Sequence, residues 1–389
     1  MKLSNIVEKY NSAQIITHTD LDGYGAGAIL VSTLLDLGFS LDNIKVVNTD
    51  YSDPFPVDES YNLVFISDIS FSNREDAKKL LNFASRTNNL VMWFDHHKTS
   101  IDLTEVYPEL GKIPGIRDTN ACGAMLCYIF DQIMSYYLVK EDGTLNDVLK
   151  ELKRVNVSKI MNSKNPGIWD KSSSGKSTPI GIILTDDYDR FILADERSKY
   201  FMEAFNSYPP FKRDCKSNYF QRMYVTGYDY RYNEFINAGK TIFTWKKINS
   251  LNMLKASGFI ASFPIEGMND IEMICLNTSS KGSMMLGNCF GSDDNKLIQY
   301  NYACIYSHNG SKFTVSIYCN KPDTTPKWER HIGKIYDASD ICKRFDGGGH
   351  PGAAGFVIDS IPFCNIKPLS KALKDQIDKE ITELMKELL

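Results

Sequence analysis

Two of the chain's six histidines stand side by side in VMWFDHHKTS, residues 91–100, where an apolar run ends in Asp95, His96 and His97. A second group lies in HTDLDG, with His18, Asp20 and Asp22 at alternate positions. In an extended segment alternate side chains share one face. Carboxylates crowded onto one face repel unless a cation lies among them. Asp68 follows the apolar run NLVFIS, and LTDDYDRF adds Asp186, Asp187 and Asp189. A helix cap accounts for Asp20 or Asp22 taken singly, but not for the whole set. Mixed imidazole and carboxylate ligands suit manganese, iron or zinc better than calcium. Two ions about 3.5–4 Å apart, bridged by one carboxylate, would use this many ligands. Such a pair activates a water and stabilises both oxygens of a phosphoryl displacement.

RFDGGGHPGAAGF is the other segment with chemical potential, through Gly347, Gly348, Gly349 and His350. Glycines allow the backbone close to a ligand, where N–H groups can hold phosphate. A plain glycine turn before a small-residue helix is the alternative. GKST resembles the end of a phosphate-binding loop, but the first glycine of that motif is missing, and no clear strand precedes it.

These residues need elements to position them. Gln14 to His18, Ile44 to Asn48, Asn62 to Ser67 and Leu90 to Phe94 are short apolar strands. Helical patterns alternate with them: Gly23 to Leu37, Asn73 to Arg86 and Ala121 to Val139. That alternation predicts right-handed crossovers and a parallel sheet. Functional groups in such sheets collect at the carboxyl ends of the strands, which is where the acids and histidines fall. Residues 140–180 are expected to contain a loop, and IGIILTDDYDRF reads as an apolar strand ending in acids. Residues 192–250 look largely helical, irregular around Pro209-Pro210. From about 255 the texture becomes β-like, and an amphipathic helix, about Leu369 to Leu389, closes the chain.

The bulk numbers bound the answer. At 389 residues, two domains are expected. A net charge of −4 lacks the basic footprint of a long-duplex binder. Nine cysteines without a C-x-x-C pair read as reduced thiols in a cytoplasmic protein. The start, MKLSNIVEKY, has no apolar signal core, and no stretch approaches 18 uninterrupted apolar residues, so no secretion or membrane span is expected.

Taken together, HTDLDG, ISDIS, FDHH, DDYDRF and GGGHPGAAG, in this order, resemble the five motifs of the DHH phosphoesterase family. The resemblance is to the subfamily with a DHH-associated C-terminal domain, which includes RecJ-type exonucleases and oligoribonucleases ("nanoRNases"), and it covers nearly the whole chain. It implies an α/β fold: an N-terminal parallel-sheet catalytic domain, a smaller C-terminal mixed-sheet domain, and an active site in the cleft between them. The expected boundaries are 1–210, a helical linker 211–254, and 255–389, with an insertion at about 140–180. It implies one ion held by His18, Asp20 and Asp68. A second would be held by Asp22, Asp68, His96 and Asp187, with Asp68 bridging. Asp187 is chosen because the family's aspartate stands four residues before an aromatic, here Phe191. His97 would contact the scissile phosphate and Asp95 would orient the pair. Gly347, Gly348, Gly349 and His350 would hold a substrate phosphate or sugar. TNACGAML resembles a small-residue segment opening a helix near the site; its role stays open. Many relatives carry an arginine in the strand before the glycine signature, where this chain has Tyr318 and Cys319.

The expected function is a Mn2+-dependent phosphodiesterase using two ions, with Mg2+, Fe2+ or Co2+ as alternatives. The expected substrates are short oligonucleotides or single-stranded nucleic acid ends, because long-strand binding rests on many phosphate contacts that a slightly acidic chain does not supply. The alternatives are a cyclic or linear dinucleotide, a 3′,5′-bisphosphate nucleotide, or a catalytically silent nucleotide-binding protein. An oligomer is compatible with the sequence.

Overall fold

The computed structural model describes residues 1–51, 53–71, 74–140, 142–171, 177–190, 192–208, 213–217, 220, 224, 231–264, 270–278, 302–319, 337–349 and 352–388. It is α/β and divides into two compact units, Met1–Asn237 and Ala238–Leu389.

The first unit is built on four parallel strands: β1 (Ala13–His18), β2 (Ile44–Thr49), β3 (Leu63–Ser67) and β4 (Leu90–Phe94), in the order β2-β1-β3-β4. Every residue of β3 is buried, as are the first five of β1. A parallel strand covered on both faces needs a nearly continuous apolar run, and IITH, LVFIS and LVMWF are such runs. The chain leaves β1 towards β2 on one side and returns to β3 on the other. The strand order therefore reverses beside β1, which opens a crevice at the carboxyl ends of β1 and β3.

The helices of this unit are α1 (Ile6–Tyr10), α2 (Leu21–Asp36), α3 (Arg74–Ala84), α4 (Lys98–Val106), α5 (Gly123–Leu138), α6 (Leu145–Leu152), α7 (Val157–Met161), α8 (Ile180–Asp189) and α9 (Glu196–Ser207). One region adds helices to the expected loop, and one differs from expectation. The segment 140–171 carries α6 and α7 as well as loops, and the Thr144 capping box starts α6. IGIILTDDYD is a helix, α8, not a strand. Its isoleucines favour strands, but no ladder receives it. Gly181, Ile182, Leu184, Thr185 and Tyr188 are buried instead, and the Thr185 hydroxyl donates to the Gly181 carbonyl one turn back at 2.8 Å.

The division between the units falls within a 27-residue helix, α10 (Arg231–Ser257). The second unit holds a mixed seven-stranded sheet, β11-β5-β6-β7-β8-β10-β9. Its strands are β5 (Phe259–Phe263), β6 (Ile271–Asn277), β7 (Tyr302–His308), β8 (Phe313–Cys319), β9 (Gly348–Gly349), β10 (Ala353–Ile358) and β11 (Cys364–Pro368). Among the described residues, only β6 and β7 of this sheet pair in parallel. Phe263, Met273, Cys304, Ile317 and Phe356 are buried in its core, against the short helix α11 (Ala338–Lys343). The closing helix, α12 (Lys371–Leu388), buries Leu373, Ile377, Ile381 and Leu384, a stripe at helical spacing. AAGFVI is the strand β10, so the small residues after the glycine signature do not open a helix. Among the described residues, no helix is long and apolar enough to cross a membrane.

Candidate metal centre

The crevice of the first unit gathers side chains from the carboxyl ends of three strands and from two helices. His18 ends β1, and Asp20 caps α2 by accepting from the Gly23 N–H at 2.9 Å. The other Asp20 oxygen lies 2.9 Å from His18 Nδ1. Asp68 follows β3 in a left-handed conformation, φ 55°, which turns its carboxylate across the strand ends. His96 Nε2 lies 3.2 Å from Asp68 Oδ1, 3.1 Å from Asp189 Oδ2 and 3.7 Å from Asp22 Oδ2.

Three ligand groups result, joined through Asp68 and His96. The ligand atoms of His18, Asp20 and Asp68 lie within 4.8 Å of one another, and so do those of Asp22, His96 and Asp189. Asp68 also groups with His96 and His97 on the same criterion, so it stands where the sets meet. Among the described residues, neither Asp68 oxygen, nor Asp189 Oδ2, accepts a hydrogen bond, although all three are buried. Buried carboxylates are ordinarily satisfied. Burial, and then the charges of Asp22 and Asp20, push the Asp68 and Asp189 carboxyls well above the usual range. Burial works against His18 protonation, but the Asp20 hydrogen bond and the charges of Asp20, Asp50 and Asp189 more than offset it and raise its pKa. Four acids and two imidazoles converging with unsatisfied oxygens fit divalent cations of the manganese, iron or zinc type.

Helix α5 explains how Asp22 is held. The N–H groups of Gly123 and Ala124 donate to its two oxygens at 2.6 and 2.7 Å. The preceding Cys122 N–H donates to Asp186 at 2.7 Å, and Asp186 is gripped in turn by Arg190 at 3.0 and 2.9 Å. The first turn of α5 is thus satisfied by two aspartates from other helices. Gly123 is needed for this approach. A Cβ there would stand 2.7 Å from the Asp68 Cβ and 3.0 Å from Asp22 Oδ2. This gives the TNACGAML segment its part in the site.

His97 is set differently from His96. Asp95 Oδ1 pairs with His97 Nδ1 at 2.8 Å and accepts from the His96 backbone N–H at 2.9 Å. The pairing fixes Nδ1 as the protonated nitrogen and leaves Nε2 for a ligand. Asp95 is fully buried, whereas the His97 side chain is 27% exposed.

The structure does not bring Asp187 into this cluster. Its two oxygens accept the N–H groups of Ala194 and Asp195 at 2.9 and 3.1 Å, tying down the entry to α9. Asp189 stands in the expected place. On a helix, residues 186 and 189 share a face, while residue 187 is turned about 100° from its neighbour. Phe191, on which the choice of Asp187 rested, lies outside the described residues, as does His350. In the second unit, Gly347 and Gly349 are required by packing. A Cβ would meet the Phe356 Cβ at 2.5 Å in one case and the Ala354 Cα at 2.6 Å in the other. Gly348 faces open space and has room for a ligand.

Two neighbours escape the sequence reading. Asp50 follows β2 as Asp68 follows β3, and its carboxylate is 4.0 Å from His18 Nε2. That placement after a strand was a readable signal. Tyr51 lies 5.3 Å from the His18 ring and 5.9 Å, edge-on, from the His97 ring. Burial and the charges of Asp95 and Asp68 raise its phenol pKa. Nothing in the sequence singled it out.

No protein-family model and no curated protein matches the chain. Solved structures do. RecJ from Thermus thermophilus, in complex with Mn2+, is 14% identical with a TM-score of 0.41, over 98% of this chain and 54% of that one. The chain thus spans about half of that RecJ. The DHH domain of a protein assigned to a family of ribosomal proteins is 12% identical with a TM-score of 0.46, over 97% and 88% of the two chains. The pGpG-specific phosphodiesterase PggH from Vibrio cholerae is 13% identical with a TM-score of 0.36, over 96% and 99%.

Proposed function

We propose that this chain is a divalent-metal-dependent phosphodiesterase acting on short oligonucleotides or single-stranded ends. The observation that carries the reading is the buried meeting of two ligand groups at Asp68, whose oxygens accept no hydrogen bond among the described residues. His18, Asp20 and Asp68 would hold one ion; Asp22, His96 and Asp189, with Asp68 between the groups, would hold the other. Bound there, the ions supply positive charge to phosphoryl oxygens and lower the pKa of a water.

The chain's own residues do the rest. Asp95 accepts from His97 Nδ1–H and so turns Nε2 away from itself; in the imidazolium form the Nε2–H can donate to an oxygen of the scissile phosphate. The α5 N-terminus fixes Asp22 through two backbone N–H groups, which orient its carboxylate without a side-chain donor. Glycine at 348 leaves a backbone surface open to a phosphate or sugar. A net charge of −4 favours substrates with few phosphates over long strands.

The test is a length series with Mn2+ and with chelator: labelled 2-mer, 5-mer and 30-mer RNA and DNA, cyclic dinucleotides, a 3′,5′-bisphosphate nucleotide and bis(p-nitrophenyl) phosphate. The expected result is Mn2+-dependent hydrolysis, faster as length falls and lost in Asp68→Asn. A wild-type protein that cleaves no phosphodiester with any divalent ion overturns the reading. A preference for the 30-mer overturns the substrate class alone.

A further inference from the structure

Next to the acid cluster, within the first unit, lies a separate concavity of about 260 Å³. Asn120 lines it from the segment before α5, Ser158 and Asn162 from α7 and the residue after it, and Arg190 from the end of α8. Met161 and Ile183 add apolar surface, and Asp186 and Asp187 also line it. The segment that the sequence set apart as an insertion therefore builds one side of it.

The lining restricts what can bind. Two carboxylates and one guanidinium leave a formal charge of −1, which disfavours phosphate. The Asn120 carboxamide donates to Asp118 Oδ1 at 2.7 Å and that of Asn162 to the Ser158 hydroxyl at 3.3 Å; a carboxamide has more donor and acceptor capacity than one such bond uses, which favours a polar ligand over an apolar one. The volume falls just below the roughly 300–1,000 Å³ of ordinary ligand pockets, so it takes one small group and not a strand. What remains is a neutral, polar group of about one ring system, bonded at its edge and covered on its face. The carboxylates are already committed: Asp186 to Arg190 and the Cys122 N–H, Asp187 to two backbone N–H groups. Arg190 is thereby held rigid through its Nε/Nη2 edge, and its Nη1 edge takes no part in that pairing. Arg190 also directly follows Asp189 of the acid cluster.

We propose that this concavity is a nucleobase site, which takes the base of the nucleotide next to the scissile phosphate. Arg190 and the carboxamides of Asn120 and Asn162 read the base edge, and Met161 and Ile183 cover its face. The site rests on the phosphodiesterase reading for its purpose, but not for its detection. Asn162 is exposed at the rim, so Asn162→Trp fills the mouth without disturbing the core. Ser158→Phe fills it from the helix side. Each variant is checked by its melting temperature and then assayed with Mn2+ on a dinucleotide and on bis(p-nitrophenyl) phosphate, which has no base. The expected result is a fall of at least tenfold in the ratio of the two kcat/KM values, carried by KM for the dinucleotide. Independently, saturation-transfer NMR on the metal-free wild type with adenosine, guanosine, cytidine and uridine should show binding that both variants lose. An unchanged ratio in both folded variants, or no nucleoside signal from wild type, overturns the site. Absence of any hydrolysis by wild type overturns the phosphodiesterase reading instead, and the NMR experiment still decides the pocket.

Discussion

Asp187 and Asp189 are two residues apart and should respond to the same substitution in opposite ways. The ligand atoms of Asp189, Asp22 and His96 lie within 4.8 Å of one another. Two unit charges at that distance repel by about 3.5 kcal/mol at an effective dielectric constant near 20. Proton uptake relieves part of this in the metal-free protein, so Asp189→Asn should stabilise that form by about 1–3 kcal/mol. With a shift of about 2–4 °C per kcal/mol for a unit of this size, its melting temperature should rise by several degrees. Cations should then bind less well. Loss of a ligand at a cost of about 1.4 kcal/mol or more is at least tenfold in Kd. Asp187→Asn does the reverse. It replaces one of two carboxylate oxygens that accept the Ala194 and Asp195 N–H groups with an amide that can only donate. Leaving that donor unmet should cost about 1–3 kcal/mol in both metal-free and Mn2+-bound protein, with Kd unchanged within about twofold. Calorimetric melting with and without Mn2+, and Mn2+ titration calorimetry, measure all four quantities. If Asp187→Asn abolishes the Mn2+ response and Asp189→Asn keeps it, the helical placement of this segment and the ligand set are both wrong.

Gly123→Ala should weaken Mn2+ binding at least tenfold and destabilise by about 1–3 kcal/mol, because the new methyl must push Asp68 or Asp22 aside; titration calorimetry and melting read the two effects. Asp186→Asn removes the charge facing Arg190 and the oxygen that accepts its Nη2, and leaves one oxygen for the Cys122 N–H and Arg190 Nε, so it should lower stability by a few kcal/mol and weaken Mn2+ binding through Asp22, which shares the α5 terminus; an unchanged Mn2+ Kd would show that the terminus does not depend on it. His97→Ala should leave Mn2+ affinity within about threefold and lower kcat by about 10²–10⁴, the range of a lost proton-transfer or phosphate-contacting group. Asp131, pushed up to about 6 mainly by burial, offers a pH test. Its folded pKa exceeds the unfolded value near 3.9, so the folded state binds the extra proton and stability falls as pH rises from about 4 to about 6. The Thr33 hydroxyl lies 2.7 Å from Asp131 and 3.0 Å from the Ile29 carbonyl and can donate to only one of them. Asp131→Asn should therefore stabilise the protein by about 1–2 kcal/mol at pH 8 and by little at pH 4, as read by denaturant titration.

Much of the first unit was legible because one physical rule governs it. Strands buried on both faces must be short apolar runs, and IITH, LVFIS and LVMWF show this without reference to any neighbour. A parallel sheet then collects its polar groups at the carboxyl ends, so His18, Asp68 and His96 could be grouped from their positions alone. The charge, the scattered cysteines and the order of five motifs likewise needed no coordinates. Tertiary structure decided the rest, for reasons that lie in packing. IGIILTDDYD has the residues of a strand but no partner strand, and its burial among helices made it helical. That choice turned Asp187 away and Asp189 in, because three residues separate like faces on a helix and two do on a strand. The role of Gly123 depends on how near Asp68 stands, and the closeness of Tyr51 to two imidazoles depends on where β2 lies in the sheet. Which residues carry suitable atoms is written along the chain, whereas which atoms converge is set by the helices that bury around them.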